Sequence, residues 1–596
     1  MNRESRTCQN CKKEFWIEPE DFKFYEKISV PPPTWCPECR MVRRMTWRNE
    51  RSLFSRICDS SGKKIISCFS PTSGIKVFDR DIWWSDSWDP MDYGRDYDFS
   101  KTFFSQFKNL MGEVPMPAVF NGETANSLYT NHVGWMKDCY LLFGSWEDEN
   151  CAYSNKLSFS KDCLDILSSS HLERVYEAIQ SIKLYGCNFV KDSRDCIDCM
   201  FIENCSGCSN CFGCINLRNK NYHIFNEPYT KDSYRQKIKE LDLGSAQGLQ
   251  NILREFNTLK QKSIRKFANF TNTKNVTGDN LANVADSKFC FDLLDDVKDC
   301  KYVVNGGFKM YDTYDGYGIG LTELCYESID TGLESSRQLF GIVAWRGHTT
   351  NYTYNCHSCS DCFASIGLRN KSYCILNKQY AKEEYETLVP KIIKHMNDMP
   401  YIDQKGRIYK YGEFFPPELS PFSYNETIAQ EYFPLTKEEA INQGYSWKDP
   451  EPRNYQVTMT NDQIPDHIKD APDSILNDII QCAHHELGSR ATKCNEQCTE
   501  AYRIIPQELD FLRKMNLPLP RLCPNCRHYQ RIKQRNPLKL WHRKCMCNNQ
   551  DTRNKYQNTI EHEHKDNPCP NEFETTYAPE RPEIFYCERR YLKEVV

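Results

Sequence analysis

Cysteine recurs at a constant spacing in the middle of the chain, and constant spacing is compatible with few folds. The intervening text consists of short apolar, β-branched or aromatic runs punctuated by Ser, Asn, Asp and Gly, so each step has the pattern of a strand followed by a turn. Such regularity predicts a stack of parallel β-helix coils, with either one coil per 12 residues or one per 24. The cysteines stand twelve residues apart, with Val175 at the missing step, at Cys139, Cys151, Cys163, Cys187, Cys199 and Cys211.

The stacked region occurs twice. Residues 211–226 return as 362–377 with ten identities in sixteen positions, and the same offset of 151 aligns Cys139 with Cys290. Each copy ends in a helical pattern, with Thr230 as the expected N-cap of the first helix. In the second copy, aromatic and polar residues replace most ladder cysteines. We therefore expect two β-helix units with capping helices, at residues 137–237 and 288–388.

The ladder thiols have two interpretations. In a stack of coils the same position recurs about every 4.8 Å, and cysteine is small and apolar enough to repeat there as a buried hydrophobe. A run of four cysteines with two residues between neighbours also has the spacing of an iron–sulfur or zinc cluster. The second copy has Ser365 at the fourth position, which argues against a cluster. The four residues are Cys205, Cys208, Cys211 and Cys214.

The two ends of the chain also match each other. Residues 11–58 align without a gap with residues 498–545, and 17 of the 48 positions are identical. Each end carries two cysteine pairs, and four thiolates from two such knuckles make the tetrahedral shell of a structural zinc ion. A segment of this length buries too little apolar surface to fold alone, so metal binding would supply the missing free energy. The expected zinc ligands are Cys8, Cys11, Cys36 and Cys39 at the N-terminal end, and Cys494, Cys498, Cys523 and Cys526 at the C-terminal end.

These ends resemble a known family. The segments "CQNCKKEFW", "DFKFYEK" and "PPPTWCPECR" match the pattern of the probable zinc-ribbon domain of uncharacterised bacterial proteins. The whole layout also resembles cysteine-rich hypothetical proteins of candidate-phylum bacteria. The resemblance implies bound zinc and no known activity. The C-terminal copy departs from the pattern because three residues separate Cys494 from Cys498.

The C-terminal end carries more cysteines beyond its ribbon. They predict a second zinc shell, in which His562 or His564 could replace one thiol, and the alternative is an ordinary turn with buried thiols. The expected ligands are Cys545, Cys547, Cys569 and Cys587.

The N-terminal end lacks the counterpart of this second shell. Ser60 stands where the C-terminal copy has Cys547. We therefore expect Cys58 and Cys68 to be packed thiols.

Arginines follow the second cysteine pair of both ribbons, and several recur at matching offsets. Guanidinium groups bind phosphates bidentately and stack on bases, so these residues predict a basic face that contacts RNA or a ribonucleoprotein. The alternative is that they pair with acids of the chain itself, such as the aspartates between residues 81 and 98. The residues expected to bind nucleic acid are Arg40, Arg44, Arg48, Arg56, Arg527, Arg531, Arg535 and Arg543.

Composition limits the other functional classes. A net charge of -4 and a pI near 6.4 argue against a chain that coats nucleic acid along its whole length. The sequence shows neither a secretion signal nor an apolar span long enough for a membrane, so we expect a cytoplasmic protein. In that compartment its 32 cysteines should be thiols or metal ligands rather than disulfides.

Carbohydrate chemistry is a further possibility on two grounds. Trp83, Trp84 and Trp88 stand beside carboxylates, as aromatic sugar platforms do. Parallel β-helices also host polysaccharide lyases and hydrolases, for which Asp292, Asp295 and Asp296 would be an acid cluster. No nucleotide-binding or zinc-protease motif is present, and the sequence assigns no catalytic residue.

The sequence therefore predicts a mainly β protein with small α parts, in which zinc ribbons at both ends flank a duplicated, cysteine-rich parallel β-helix. The expected function is a zinc-binding, non-catalytic adaptor for RNA or a ribonucleoprotein. The alternatives are a protein-binding or self-assembling scaffold and a carbohydrate-active β-helix enzyme. The expected segments are a ribbon (1–67), a connector with one amphipathic helix (68–136), the first β-helix (137–237), a helical insertion (238–287), the second β-helix (288–388), a connector (389–491) and a zinc-binding domain (492–596).

Overall fold

The chain forms two compact units, and each unit joins two non-adjacent segments. The computed structural model describes residues 2–450, 455–486, 497–547, 556, 558–564 and 567–595, and its architecture is mainly β, as expected. The first unit contains Met1–Phe120 and Phe270–Asp449, and the second contains Asn121–Asn269 and Pro450–Val596. Each unit thus combines one end of the chain with one half of the duplicated middle, whereas seven consecutive segments were expected.

The first unit contains a ten-stranded sheet that is parallel except for its last pairing. The strands of this sheet are Phe270–Thr271, Gly278–Ala285, Cys290–Lys298, Val304–Tyr311, Tyr314–Glu323, Tyr326–Trp345, His348–Tyr354, Ser360–Phe363, Ser372–Ile375 and Lys378–Gln379. Shorter pairs are Glu4–Thr7 with Glu14–Ile17, Phe54–Ile57 with Lys64–Ser67, Val77–Phe78 with Met116–Pro117, and Tyr401–Ile402 with Ile408–Tyr409. The α-helices are Pro19–Lys27, Pro37–Met45, Arg80–Trp84, Phe103–Glu113, Lys382–Asp398, Ile428–Tyr432 and Lys437–Asn442.

The second unit contains a twelve-stranded sheet of the same kind, with one antiparallel pairing at its end. Its strands are Thr124–Ala125, Met136–Lys137, Tyr140–Phe143, Trp146–Glu149, Ala152–Ile179, Ile182–Tyr185, Asn188–Lys191, Arg194–Ile197, Met200–Glu203, Ser209–Phe212, Asn221–Ile224 and Glu227–Pro228. Shorter pairs are Ile264–Lys266 with Ile584–Tyr586, Ile480–Gln481 with Ala501–Tyr502, and Trp541–Lys544 with Glu572–Thr575. The α-helices are Lys231–Glu240, Ala246–Lys262, Ala483–Glu486, Pro506–Met515, Pro524–Lys533 and Glu588–Val595.

The sheet of the second unit has a repeat of 12 residues. In its parallel pairings each residue lies twelve positions from its partner, as in Tyr140 with Ala152 and Ile182 with Arg194. Every third residue from Asn126 to Tyr222 has a positive φ, so each repeat consists of four three-residue segments that meet at left-handed positions. The pairing therefore favours the 12-residue alternative over the 24-residue one. We call these left-handed positions corners.

Asn and Asp are frequent at the corners for a physical reason. They tolerate the left-handed region better than other residues with a Cβ atom. Their side chains also bridge successive repeats, since Asn126 donates to Asp138 at 2.6 Å and Asn280 donates to Asp292 at 2.7 Å. The three aspartates considered as an acid cluster are corner residues of this kind, and Asn280, Asn283 and Tyr311 donate to them.

The interior of the second unit's sheet is lined by residues three positions apart. Ten cysteines fall in this one phase and belong to a single buried cluster with Leu, Ile and Val. The thiols of the four-cysteine run donate to backbone carbonyls, as in Cys205 to Glu203 at 3.6 Å and Cys214 to Phe212 at 3.2 Å. Burial also raises the pKa of Cys139 to about 12. These observations favour cysteine as a core residue over a metal cluster in this sheet.

The sheet of the first unit has the same pattern with inserted residues. Gly278 pairs with Cys290 twelve positions on, but Val284 pairs with Val297 thirteen positions on. Left-handed conformations at the adjacent residues Asp295 and Asp296 accompany this register shift.

Most expected helices are present. Thr230 caps the helix Lys231–Glu240 by accepting from Ser233 N, and the Phe103–Glu113 helix buries the face formed by its phenylalanines. The segment expected as a helical insertion differs, because its helix ends at Lys262 and strands begin at Ile264 and Gly278. Within the described ranges, no helix has both the length and the apolar composition needed to cross a membrane.

Candidate metal centres and their docked helices

Four thiols meet near the N-terminus, as the sequence predicted. The hairpin Glu4–Thr7 with Glu14–Ile17 presents Cys8 and Cys11 from its turn, while Cys36 precedes the helix Pro37–Met45 and Cys39 lies in its first turn. The sulfur atoms all lie within 4.8 Å of one another. Hydrogen bonds from the Cys36 and Cys39 thiols hold the pKa of Cys8 well below its ordinary value, whereas hydrogen bonds with Cys36 and Cys8 raise the pKa of Cys39. The contacts within the group therefore favour a thiolate at Cys8. This group of Cys8, Cys11, Cys36 and Cys39 is the N-terminal cysteine cluster.

A matching group in the second unit contains Cys482, which sequence reasoning missed. Its sulfur atom lies within 4.8 Å of those of Cys498, Cys523 and Cys526, and it accepts from Cys523 N at 3.2 Å. The predicted ligand Cys494 lies outside the described residues. The sequence contained a signal, because "IIQC" (479–482) ends a strand in a cysteine, as "SRTC" (5–8) does at the other end. We call Cys482, Cys498, Cys523 and Cys526 the C-terminal cysteine cluster.

A third group gathers the four cysteines predicted for the second shell. The sulfur atoms of Cys545, Cys569 and Cys587 lie within 4.8 Å of one another, and Cys569 also belongs to a second triad with Cys547 and His564. His564 Nε2 lies 3.2 Å from the sulfur of Cys547. His562, the other histidine considered, is instead paired with Glu594 at 2.9 Å. His564 is therefore the histidine placed to replace a thiol.

Among the described residues, no third cysteine group lies at the equivalent hairpin of the first unit. Cys58 follows the strand Phe54–Ile57 as Cys545 follows Trp541–Lys544, but it accepts from Ser61 N and Asp79 N. Cys58 and Cys68 are both buried, and within the described part of the chain neither belongs to a potential metal group. The prediction of packed thiols is consistent with this placement.

The arginines of the helix Pro37–Met45, the N-terminal docking helix, face the sheet of the first unit. Arg40 binds the Asp315 carboxylate at 2.8 Å, and Arg44 binds the same carboxylate at 3.0 Å. Arg43 reaches Glu327 at 2.5 Å and Glu413 at 2.7 Å. All six of these side chains are nearly inaccessible to solvent, at 0 to 1% exposure except for Glu413 at 6%.

The helix Pro524–Lys533, the C-terminal docking helix, makes the same contacts in the second unit. Arg527 binds Asp165 at 2.7 Å and Glu508 at 2.9 Å. Arg531 binds Asp165 at 2.8 Å and Glu177 at 3.1 Å. In each unit, therefore, two arginines one helical turn apart share one aspartate.

The carboxylates that receive these arginines come from equivalent corners. Along the second unit's sheet, Tyr153, Asp165 and Glu177 occupy one corner of successive repeats, and Tyr302, Asp315 and Glu327 do so in the first unit. The guanidinium of Arg527 lies 4.6 Å from the centre of the Tyr153 ring, and that of Arg40 lies 5.3 Å from the Tyr302 ring. We call each set of three a corner ladder.

The predicted basic face is therefore directed inward. Six of the eight arginines expected to bind nucleic acid are buried, namely Arg40, Arg44, Arg48, Arg527, Arg531 and Arg535. The other two also contact the protein, because Arg56 donates to Ser70 O and Ile75 O, and Arg543 donates to Tyr577 O and Ala578 O. The acids that pair with these arginines are not the aspartates at 81–98 suggested by the sequence. The corner ladders, and not that loop, lie beneath the two helices.

Burial makes these ion pairs sensitive to the loss of one partner. Desolvation raises the pKa of Glu327 and of Glu508, although the arginines beside them oppose the rise. Replacing one member of such a pair leaves an uncompensated buried charge, which typically costs about 3–5 kcal/mol. The pairs therefore determine where each docking helix lies.

Comparison with known proteins identified no family. No family model matches the chain, and no curated protein matches it. One solved structure, described as a "putative acetyltransferase" from Desulfovibrio desulfuricans G20, is 9% identical and aligns over 49% of this chain and 73% of its own, with a TM-score of 0.10. A likeness of that size carries no argument about fold or activity.

Proposed function

We propose that this protein is a non-catalytic, zinc-stabilised scaffold made of two matching modules. In each module a zinc ribbon is docked by buried arginines onto a parallel β-helix with a cysteine-rich core. The observation that carries this proposal is the shared contact of Arg40 and Arg44 with Asp315, and of Arg527 and Arg531 with Asp165.

Zinc fits the donor sets of the two terminal clusters. Four cysteine sulfurs suit a soft, tetrahedrally coordinated ion and leave no position for water, which is the arrangement of a structural site. In both clusters one cysteine directly precedes a docking helix, where the helix dipole favours a thiolate. The metal would hold the first turn of the helix against the hairpin and so orient its arginines.

A β-helix is the fold that the sheet registers support. Parallel pairing at a 12-residue offset in the second unit, with a corner every third residue, supports a chain that winds once per repeat. Such a stack offers a long rigid body with regular outer faces, which is typical of proteins that organise partners. The described packing of the stack is explained without a catalytic role for any pair of its carboxylates.

Contact with RNA or a ribonucleoprotein is the alternative proposal. The arginines that motivated it are engaged by the corner ladders, so this function would require the docking helices to leave their sheets or other cations to make the contact. The two proposals differ in their dependence on salt, because phosphate contacts release counterions.

Metal analysis combined with RNA binding tests the proposal. For the purified full chain we expect about three zinc ions and no iron by inductively coupled plasma mass spectrometry. Fluorescence anisotropy with a labelled single-stranded RNA of about 20 nucleotides should show no saturable binding at either low or moderate salt. A zinc-free folded protein would contradict the metal assignment, and tight binding that weakens steeply with salt would favour the RNA alternative.

A further inference from the structure

A cavity of about 380 Å³ lies in the first unit, away from the cysteine clusters. Its volume is at the lower end of the roughly 300–1,000 Å³ typical of small-molecule sites. Two indole rings, Trp84 and Trp88, line it on one side, and residues of the sheet between His357 and Lys371 line it on the other. We propose that this cavity binds a neutral carbohydrate, a mono- or disaccharide.

The aromatic wall is held in place before any ligand arrives. Trp88 Nε1 donates to Trp83 O at 2.8 Å, and Trp83 Nε1 donates to Pro115 O at 2.9 Å. The guanidinium of Arg369 donates to Ser85 O at 3.1 Å and lies over the rings of Trp83 and Trp88. Preorganisation of this kind reduces the entropy lost on binding.

Trp84 offers a free aromatic surface to a ligand. Its side chain is 37% exposed although it lines a cavity, and its ring contacts Trp83 and His357 with centroid distances of 4.8 and 5.0 Å. A flat, partly exposed indole suits the C–H face of a pyranose ring, which is apolar, while the sugar hydroxyls point to the rim.

A buried histidine, His357, forms part of the cavity wall. His357 is 6% exposed, its Nε2 is paired with Asn355 at 2.9 Å, and its Nδ1 has no hydrogen-bond partner among the described residues. Burial lowers the pKa of this imidazole to about 4, so it is neutral at physiological pH. Because Nε2–H donates to Asn355 Oδ1, Nδ1 carries no proton, and the ring adds an uncharged surface to the cavity wall.

The charges around the cavity balance, which favours a neutral ligand. Asp86 and Asp89 provide two carboxylates, and Arg369 and Lys371 provide two cations. Asp89 lies 3.9 Å from Lys371, and both aspartates stabilise the charge of Arg369. An anion would meet the carboxylates and a cation would meet the arginine and lysine, whereas hydroxyl groups can donate to the former and accept from the latter.

Direct binding of defined sugars tests the inference. Saturation-transfer difference NMR and calorimetry on the zinc-loaded full chain would use glucose, galactose, mannose, N-acetylglucosamine, maltose, cellobiose and lactose at up to about 10 mM. We expect saturable binding of at least one of them. A flat response to the whole panel, or stronger binding of citrate or phosphate than of any sugar, would overturn the proposal.

Variants localise the binding to the cavity. Trp84→Ala should weaken the affinity at least about tenfold, and Asp86→Asn should weaken it about threefold or more. Trp135→Ala is the matched control, because Trp135 is similarly exposed at 44% and does not line the cavity. Zinc content and the thermal unfolding midpoint report whether each variant is folded, and unchanged sugar affinity in a folded Trp84→Ala protein would overturn the assignment.

Discussion

Arg527 binds two buried carboxylates, Asp165 and Glu508, while its guanidinium lies over the ring of Tyr153. From the sequence this arginine has the character of a phosphate ligand, because it lies in a segment without acids. The structure places it against acids more than 300 positions away for Asp165 and 19 positions away for Glu508. Whether a cation is available to a ligand depends on the surface packed against it, and residue type alone does not reveal that.

Removing the shared carboxylate of the second unit should destabilise the protein. In Asp165→Asn, Arg527 and Arg531 would lose the buried carboxylate that they share and keep only Glu508 and Glu177, so two buried cations would face two anions where they now face three. We expect a loss of about 3 kcal/mol in the free energy of unfolding. The left-handed backbone at position 165 tolerates Asn, so a loss would report on charge and not on backbone strain. Chemical denaturation followed by circular dichroism provides the measurement.

Asp162→Asn is the control for this substitution. It makes the same chemical change at a neighbouring corner, where the carboxylate accepts from Asn150 and forms no ion pair with an arginine of the described residues. We expect a change within about 1 kcal/mol. Equal losses for the two variants would argue against the ion pairs as the cause.

His357 should make the stability of the first unit depend on pH. Its pKa is about 4 in the folded protein and 6.5 for the free side chain, so between these values the unfolded chain binds more protons. The contribution of this residue to stability is therefore fully present above pH 6.5 and decreases by about 1.4 kcal/mol for each pH unit below it. As the pH falls from 6.5 to 5, the unfolding free energy of the natural protein should decrease relative to that of His357→Gln. Parallel pH curves for the two proteins would show that His357 is not buried in its neutral form.

At the scale of elements, each docking helix connects a cysteine cluster that could hold a metal ion to a sheet. Cys36 and Cys523 directly precede these helices, and the arginines that reach the sheet begin four residues later, at Arg40 and Arg527. A metal bound at the helix start therefore limits where the guanidinium groups can lie. The cysteine pairs at these helix starts are visible in the sequence because their spacing is local.

The fourth ligand of the C-terminal cluster is open to a direct test. Cys482→Ser should reduce the zinc content by one ion per chain, because Cys482 completes the four-sulfur group with Cys498, Cys523 and Cys526. Cys494→Ser should leave the zinc content unchanged. Mass spectrometry of the intact proteins under native conditions gives the count.

A reduced count for Cys494→Ser with an unchanged count for Cys482→Ser would instead support the ligand set that cysteine spacing alone predicted. Cys58→Ser serves as a second control, because this buried thiol belongs to no potential metal group of the described residues. It should retain every zinc ion, although loss of the packed thiol should lower the stability.

At the scale of the whole molecule, the modules do not follow the order of the chain. The N-terminal end belongs to the same unit as the second half of the duplicated middle, and the C-terminal end belongs with the first half. Chain connectivity favours contacts between segments that are adjacent in sequence. The corner ladders of both halves nevertheless carry the same acids, and a compact unit is defined by the contacts that its segments make. The domain boundaries could therefore not be read from consecutive segments.

Chelation should expose both docking helices at once. With a zinc chelator such as TPEN, we expect trypsin to cleave after Arg40, Arg44, Arg527 and Arg531, whose side chains are buried in the structure. Peptide mass spectrometry over a digestion time course would identify these cuts. Restoring zinc before digestion should suppress them. Cleavage at the same sites and rates with and without chelator would contradict a metal-dependent docking of the helices.

The sequence by itself determined the features that depend on short spacing. These features depend on residues that lie close together in sequence, because local geometry repeats with local sequence. They are the 12-residue spacing, the cysteines at both ends, the helix cap at Thr230 and the apolar face of Phe103–Glu113. The three-residue period is also visible in the four-cysteine run, in which two residues separate neighbouring cysteines.

Only the tertiary structure decided which distant residues meet. The pairs Arg40 with Asp315 and Arg527 with Asp165 join residues 275 and 362 positions apart, and Cys482 joins its cluster across more than 40 residues from Cys526. A charged or sulfur-bearing side chain has several chemically suitable partners in a chain of this size. The free energy of the assembled core selects among them, since burial is favourable only where every charge and donor finds a partner.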